Sequence, residues 1–259
     1  MSITVILNGY KRGANLDEQL HALHNQTVQP DEILLWYNNP GENCDINYEI
    51  GTQIPTAYCN YNFGVWARFA FALNARSEYV CVFDDDTIPG SKWLENCMDT
   101  MGKTEGLLGT VGLLYQSPSP AENSSYYERY FRYGWPNGGN NEDTVEVDLV
   151  GHSWFFKKDW LSYMFRELPD PKYNTCGEDM HFSYMLQKYA GIKTFVPPHP
   201  ISDKELWGSI KGAEYGGDEN SLWESNQRSI DGVPFKILMN EYFYYQRIKG
   251  WRLCNERKY

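Results

Sequence analysis

An apolar run that ends directly in three aspartates constrains this chain more than any other sequence feature. Residues 79–83 are Tyr-Val-Cys-Val-Phe, and Asp84, Asp85 and Asp86 follow at once. A continuous apolar run of this length is typical of a parallel strand that is covered on both faces. Side chains alternate along an extended chain, so we expect Asp84 and Asp86 to point one way and Asp85 the other.

The sequence before this acidic triplet alternates between strand and helix patterns. Residues 3–7 and 33–37 are short apolar runs that predict strands. Between them, Asn15 and Glu18 have the spacing of a helix start with Asn15 as N-cap. Residues 65–75 are apolar nearly all round and predict a buried helix. This alternation predicts an α/β protein with a three-layer arrangement and a mostly parallel central sheet.

The rest of the chain adds further elements and two long irregular segments. The irregular segments, residues 117–144 and 200–232, are polar and rich in glycine, which is typical of loops. We interpret residues 200–232 as a lid that closes over a bound substrate. Three strands and two helices are predicted, at residues 107–115, 147–156 and 192–196 and at residues 178–189 and 236–245 respectively.

Composition excludes some classes of function. The chain has 34 acidic against 23 basic residues and a net charge of −11, and it contains no basic run. Nucleic-acid binding depends largely on clustered lysine and arginine, so we do not expect a nucleic-acid partner. An anionic substrate would need a bound cation or a local arginine to offset this negative field.

Cysteine usage and hydropathy suggest a location. The six cysteines are scattered without a CxxC pair, which favours a reducing compartment, although an even number leaves disulfides open. No apolar stretch approaches the roughly 20 residues that span a bilayer. The first strand begins too early to leave room for a signal peptide. We therefore expect a soluble, cytoplasmic protein without a transmembrane segment.

The acidic triplet has the chemistry of a divalent-metal site. Carboxylate oxygens suit Mg²⁺ or Mn²⁺, and Mg²⁺ commonly shares its ligands with substrate phosphates. In open α/β sheets, ligands bind beyond the carboxyl ends of the strands, where this triplet lies. The alternative is a solvated acidic turn leading into residues 87–90. A calcium loop fits poorly, because Ile88 and Pro89 stand where it needs a ligand and a glycine.

The triplet resembles the DxD signature of glycosyltransferases that have the GT-A fold. The motif order resembles the large family 2 of these enzymes, over roughly residues 3–198. Asn62 and Gly64 precede Arg68 in the predicted helix, and the acidic triplet follows. Farther along, Gly177-Glu178-Asp179 resembles the family's ED motif at a helix start. Exostosin-like transferases share the DxD motif and a downstream acidic motif, so they are an alternative.

The resemblance implies roles for residues around the donor. Asp86 would bind the metal that bridges the donor diphosphate, and Asp84 would share the metal or contact the ribose, with Asp85 supporting them. Arg68 would contact the donor phosphate or ribose, since a guanidinium forks onto phosphate oxygens. Its alternative is a side chain that snorkels from a helix edge.

Each of the remaining candidate residues for the donor site also has a purely structural interpretation. Asn38 and Asn39 would lie near the nucleobase or serve only as turn residues. Asn62 and Gly64 would line the donor site or act as cap and turn. His199, after the last predicted strand, would be a third metal ligand, since some GT-A enzymes place one in a comparable position and imidazole favours Mn²⁺. Its alternative is an ordinary loop histidine.

The ED motif carries the expected chemistry. By the resemblance, Asp179 is the general base that deprotonates the acceptor hydroxyl, and direct displacement then inverts the anomeric configuration. Glu178 is the second catalytic candidate, although Thr175 and Glu178 also have capping-box spacing. His152 would lie on the acceptor side or make a structural hydrogen bond. Trp154 would stack on a sugar or fill the core.

The sequence therefore predicts a single GT-A domain. Residues 1–115 would bind the nucleotide sugar, residues 116–199 would bind the acceptor and carry catalysis, and residues 200–259 would form the lid and a last helix. The predicted function is metal-dependent transfer from a UDP-sugar to a glycan hydroxyl with Mn²⁺ or Mg²⁺, and the resemblance to family 2 implies inversion of the anomeric configuration. The alternatives are a retaining exostosin-like transferase and an inactive carbohydrate- or metal-binding module.

Overall fold

The computed structural model describes residues 1–38, 49–116, 124–135, 138–215, 217, 221 and 232–257. The strands are β1 (Ile3–Gly9), β2 (Glu32–Asn38), β3 (Thr56–Cys59), β4 (Tyr79–Phe83), β5 (Gly106–Tyr115), β6 (Tyr130–Tyr133), β7 (Val145–Val147), β8 (Leu149–Lys157) and β9 (Lys193–Val196). The helices are α1 (Asn15–His24), α2 (Ile50–Gln53), α3 (Ala67–Phe71), α4 (Trp93–Lys103), α5 (Leu161–Met164), α6 (Glu178–Ala190), α7 (Gly212–Tyr215) and α8 (Phe235–Ile248).

The strands form one nine-stranded mixed sheet. Its order is β3-β2-β1-β4-β8-β5-β9-β7, with β6 paired to β5 beside this path. Strands β3, β2, β1, β4, β5 and β9 run in one direction, whereas β8, β6 and β7 run in the other. The predicted α/β class with a mostly parallel sheet is thereby confirmed.

Sheet pairing brings distant residues to one edge. In the parallel register, Val5 of β1 lies opposite Ile33 of β2 and Cys81 of β4. The carboxyl ends of these strands therefore meet, which places the acidic triplet at the sheet edge. Strand β8 runs antiparallel to β4, and the Asp84 N–H continues that pairing by donating to the carbonyl of His152 at 3.0 Å.

Strand β4 is buried along its whole length, as its apolar sequence predicts. The five cysteines within the described residues are free thiols. Burial raises the pKa of the Cys81 thiol, so this side chain packs as a small hydrophobe. Within the described ranges, no helix has the length and apolar character that crossing a bilayer requires.

The start of α1 and the extent of α3 differ from the predicted ones. Asn15 is the first residue of α1 rather than its N-cap, a position that Ala14 takes. Its side chain instead donates to the carbonyl of Asp85 at 2.9 Å, so a tertiary contact replaces the local cap. The helix predicted over residues 65–75 is shorter, since α3 passes into a 3₁₀ turn at Ala72–Asn74.

The described part of the predicted lid is anchored to the body of the protein. Residue Trp207 is buried, and its carbonyl accepts from the Gly90 N–H at 2.9 Å. The Ile210 N–H donates to the carbonyl of Ile88 at 2.8 Å. Residues 200–215 therefore do not form a free lid, while residues 216, 218–220 and 222–231 lie outside the described part.

Candidate active site

Helix α1 holds the backbone of the acidic triplet. The Gln19 amide donates to the carbonyls of Asp84 at 2.7 Å and of Thr87 at 3.0 Å. Together with the bond from Asn15, these contacts satisfy buried carbonyls on both sides of the turn. The turn that presents the carboxylates is thus fixed by a neighbouring helix.

The three carboxylates have different partners. Asp85 accepts from Arg12 at 2.8 Å and from the Tyr10 N–H at 3.3 Å. Asp86 also contacts Arg12, at 3.3 Å, while Asp84 pairs with Arg68 at 3.1 Å. Asp85 is thus the carboxylate tied to the backbone after β1.

These surroundings give the carboxyl groups of Asp85 and Asp86 different pKa values. Burial, assisted by the charge of Asp86, raises the pKa of Asp85 to about 7. Burial opposes ionisation of Asp86 too, but His152 and Arg12 lower its pKa to about 2. Asp86 is therefore a carboxylate at neutral pH and is ready to bind a cation.

Asp84, Asp86 and His152 form a group with the composition of a metal site. Their ligand atoms all lie within 4.8 Å of one another. The Nδ1 atom of His152 is buried without a hydrogen-bond partner and lies 3.7 Å from Asp86 Oδ1, too far for a hydrogen bond. His152 also has a φ of 65°, which is strained for a non-glycine residue. This nitrogen is within ion-pair distance of Asp86 but makes no hydrogen bond, so with a neutral imidazole the group fits a divalent cation.

The structure does not bring His199 to this group, so its predicted ligand role is wrong. His199 is fully buried, and its Nδ1 donates to the carbonyl of Pro197 at 2.8 Å. Its Nε2 accepts from the Gly208 N–H at 3.1 Å, so both ring nitrogens are used. Burial lowers the His199 pKa to about 4, which keeps the ring neutral. His199 is a structural residue.

Arg68 connects the triplet to helix α6. Its Nη2 lies 3.1 Å from Asp84 Oδ1 and 2.8 Å from Glu178 Oε1. The guanidinium also lies over the rings of Trp154, at 4.9 Å, and Phe69, at 5.3 Å. Burial works to lower the pKa of Arg68, but the charges of Asp84 and Glu178 raise it. Arg68 is a buried bridge rather than a free phosphate ligand, and Trp154 is part of the core.

Helix α6 begins at the ED motif, but not with a capping box. Gly177 is the N-cap with a φ of 84°, and a Cβ there would lie 2.2 Å from the Tyr242 ring. The Thr175 hydroxyl is buried and makes no hydrogen bond, while Glu178 pairs with Arg68. The predicted capping box is wrong because a buried ion pair takes the Glu178 side chain.

Asp179 is the carboxylate best suited to accept a proton. Its Oδ1 accepts from the Met180 N–H at 2.7 Å, whereas Oδ2 has no hydrogen-bond partner among the described residues. Burial and the neighbouring Glu178 charge raise the pKa of Asp179 to about 7. A group with this pKa can exchange a proton at neutral pH.

One cleft of about 610 Å³ brings most of these residues together. Its lining includes Arg68, the acidic triplet, His152 and the ED motif. Aromatic residues line it as well, namely Tyr126, Tyr130, Trp135, Trp154 and Phe235. Asn38, Asn62, Gly64 and His199 are not part of this lining.

Asn38 and Asn62 do not line the cleft but are linked by hydrogen bonds to a residue that does. The Asn38 amide donates to Asn62 Oδ1 at 3.0 Å, and the Asn62 amide donates to the Tyr10 hydroxyl at 3.2 Å. Tyr10 lines the cleft, so the two asparagines support a residue of the site. Asn39, the other predicted base-contacting residue, lies outside the described residues.

Gly64 is required by a close backbone approach. It has a φ of 74°, and a Cβ would lie 2.0 Å from the carbonyl oxygen of Asn174. We expect Gly64→Ala to lower the free energy of unfolding by about 1–3 kcal/mol, measured by urea denaturation. Gly102→Ala is the control, because a Cβ there meets open space within helix α4. An unchanged stability of Gly64→Ala would contradict this role.

The chain matches the family model described as glycosyl transferase family 2 over residues 4–165. No curated protein matches it. Among solved structures, S. aureus TarS matches with a TM-score of 0.54 and 16% identity, covering 77% of this chain and 36% of that chain. TarS 1-349 in complex with UDP matches with a TM-score of 0.53 and 15% identity, covering 77% of this chain and 59% of the other.

A third structure, TarS 1-349 in complex with UDP-GlcNAc, matches with a TM-score of 0.52 and 16% identity, covering 77% of this chain and 57% of that one. The chain therefore spans less than two thirds of the length of these proteins. At such identities the likeness concerns the fold, and it confirms the expected GT-A-like architecture. The family match contains the DxD motif and confirms the resemblance to family 2, while the ED motif lies beyond the matched residues.

Proposed function

The chain belongs to glycosyl transferase family 2, and on that premise we propose that it transfers a sugar from a UDP-sugar to a hydroxyl group of a glycan. The observation that carries the proposal is that the acidic triplet and Asp179 line one cleft. Such a cleft can hold a diphosphate and an acceptor hydroxyl side by side. The UDP and UDP-GlcNAc complexes of the similar TarS structures support UDP as the nucleotide.

We further propose that Asp84, Asp86 and His152 hold a divalent cation. Their ligand atoms are already close together, and the His152 Nδ1 has no other partner. Two carboxylates and an imidazole suit Mn²⁺ better than Mg²⁺. When bound, the cation would neutralise the charge that develops on the departing diphosphate.

The proposed chemical step is a direct displacement. The acceptor oxygen bonds to the anomeric carbon while the bond from that carbon to the diphosphate oxygen breaks. Asp179 takes the proton of the acceptor hydroxyl, for which its raised pKa and unpaired Oδ2 suit it. Attack opposite the leaving group inverts the anomeric configuration.

Glu178 and Arg68 position this machinery rather than react. Glu178 is the residue before the base, and its pairing with Arg68 restrains the first turn of α6. Because Arg68 also holds Asp84, the metal group and the base share one buried ion-pair bridge. A shared bridge of this kind keeps the two halves of the site in a defined relative geometry.

A thermal-shift screen tests the donor proposal. We expect Mn²⁺ with UDP or a UDP-sugar to raise the Tm more than Mn²⁺ or nucleotide alone, because a ligand that binds only the folded state stabilises it. At a hundredfold excess over Kd this stabilisation is about 2.7 kcal/mol. GDP-mannose serves as the mismatched donor, and a Tm shift with it equal to that with the UDP-sugar would contradict the nucleotide assignment.

Release of UDP separates an enzyme from a binding module. We expect Mn²⁺-dependent release of UDP from the donor that gives the largest thermal shift. NMR of the product anomeric proton would then distinguish inversion from retention. Donor binding without any UDP release in the presence of glycan acceptors would favour a binding module.

A further inference from the structure

Among the described residues, three arginines line the cleft, and one of them is not paired with the acidic residues. Arg12 and Arg68 pair with the triplet and with Glu178. Arg132 is exposed and makes no ion pair with any residue in the described ranges. Its guanidinium lies 5.4 Å from the centre of the Trp135 ring. The cleft thus contains a cation whose charge is available to a ligand.

Strand geometry directs Arg132 into the cleft. Along β6, Tyr130 and Arg132 line the cleft, whereas Phe131 is 53% exposed on the other face, as strand alternation requires. Arg132 pairs in register with Leu113 of β5, which also lines the cleft. The direction of Arg132 is therefore set by the pairing of β6 with β5.

The neighbouring loop holds Trp135 in place. Gly134 has a φ of 75°, and a Cβ there would lie 1.8 Å from the carbonyl oxygen of Thr110. The Gly134 N–H also donates to the carbonyl of Gly139 at 2.6 Å. The Trp135 ring lies 5.2 Å from the ring of His152, so it borders the proposed metal group. We call Tyr126, Tyr130, Arg132 and Trp135 the β6 platform.

The β6 platform and the proposed general base Asp179 line the same cleft. Since Asp179 must meet the acceptor hydroxyl, an acceptor bound in this cleft lies within reach of the platform. The net charge of −11 and the carboxylates of the cleft would repel an anionic acceptor unless a local cation offset them.

We propose that the β6 platform is an acceptor subsite in which Arg132 binds an anionic group of the glycan, either a carboxylate or a phosphate. This inference rests on the proposed glycosyltransferase function. A guanidinium pairs bidentately with either anion, and the surrounding rings provide rigid contact area for a sugar face. The platform therefore selects charged glycans over neutral ones.

Matched oligosaccharides test this inference on the full chain. The probes are maltopentaose, its 6-phosphorylated form and its 6-carboxylate form, and binding is followed by titration calorimetry without nucleotide. We expect the anionic forms to bind roughly tenfold to a hundredfold more tightly than the neutral one, as for a charged hydrogen bond. Preference for one anion over the other identifies which of them Arg132 binds.

Variants assign the preference to Arg132. Arg132→Gln should abolish the preference, and Arg132→Lys should retain part of it as a point charge. Arg129→Gln is the matched control, because Arg129 is an exposed arginine next to β6 that does not line the cleft. Thermal unfolding of each variant checks that the fold is intact. Equal binding of the three probes, or a preference that survives Arg132→Gln, would overturn the proposal.

UDP binding shows whether Arg132 contacts an anion of the acceptor or the diphosphate of the donor. UDP with Mn²⁺ should bind Arg132→Gln and the unchanged protein equally. If Arg132→Gln weakens UDP binding by tenfold or more, the arginine serves the donor and the acceptor subsite is wrong. If the unchanged protein fails to bind UDP or any UDP-sugar, the proposed function is wrong. The oligosaccharide titrations contain no nucleotide, so they test the acceptor subsite independently of that result.

Discussion

Replacing Asp179 with Asn should reduce kcat by about two to four orders of magnitude, the usual contribution of a general base, while UDP and Mn²⁺ still bind. An amide has nearly the shape of the carboxylate but cannot take the proton of the acceptor hydroxyl. Steady-state kinetics and a UDP titration measure the two quantities. Asp99→Asn, at an exposed position of α4, is the matched control and should leave both unchanged.

The pH dependence of kcat gives a second readout of Asp179. The base acts only when ionised, and burial together with Glu178 raises its pKa to about 7. Activity should therefore rise with pH through about 7 and fall below it. Glu178→Gln removes the neighbouring negative charge and should move the midpoint to lower pH. A profile that stays flat from pH 5.5 to 8.5, or near-normal turnover of Asp179→Asn, would remove Asp179 from the mechanism.

Replacing Asp86 with Asn should weaken Mn²⁺-dependent UDP binding by about a hundredfold or more. Mutations that merely orient metal ligands already cost 10–100-fold in metal affinity, and Asp86 is proposed as a direct ligand. Calorimetric titration of UDP with and without Mn²⁺ measures the loss. Binding of UDP in the absence of metal should change little, since the substitution acts through the cation.

Two histidines provide a matched comparison for the metal site. His152→Gln should weaken Mn²⁺-dependent UDP binding, because the His152 Nδ1 is within ion-pair distance of Asp86 but makes no hydrogen bond. His199→Gln should instead lower the Tm, because it disturbs two buried hydrogen bonds. If His199→Gln impaired the metal response while His152→Gln did not, the assignment of the metal group would be wrong.

Local sequence patterns predicted the parts of the protein that local periodicity controls. Short-range sequence patterns predicted the buried strand β4 with the acidic triplet after it. They also predicted helix α6, which begins at Glu178 and Asp179. Alternation along an extended chain likewise set Asp84 and Asp86 apart from Asp85. The buried run of β4 predicted a parallel strand, as its pairing with β1 shows, but it did not indicate the antiparallel pairing with β8 on the other side.

Tertiary structure decided which side chains meet. His152 lies beside Asp84 because β8 pairs antiparallel with β4. His199 cannot join the proposed metal group because both its ring nitrogens are hydrogen-bonded to the backbone of Pro197 and Gly208. No spacing in the sequence reports a pairing between segments so far apart. The same holds for Arg68, whose guanidinium joins the triplet to α6 only after the helices pack. The sequence alone determined where the acidic triplet stands in the fold; burial and sheet pairing determined its partners and their protonation.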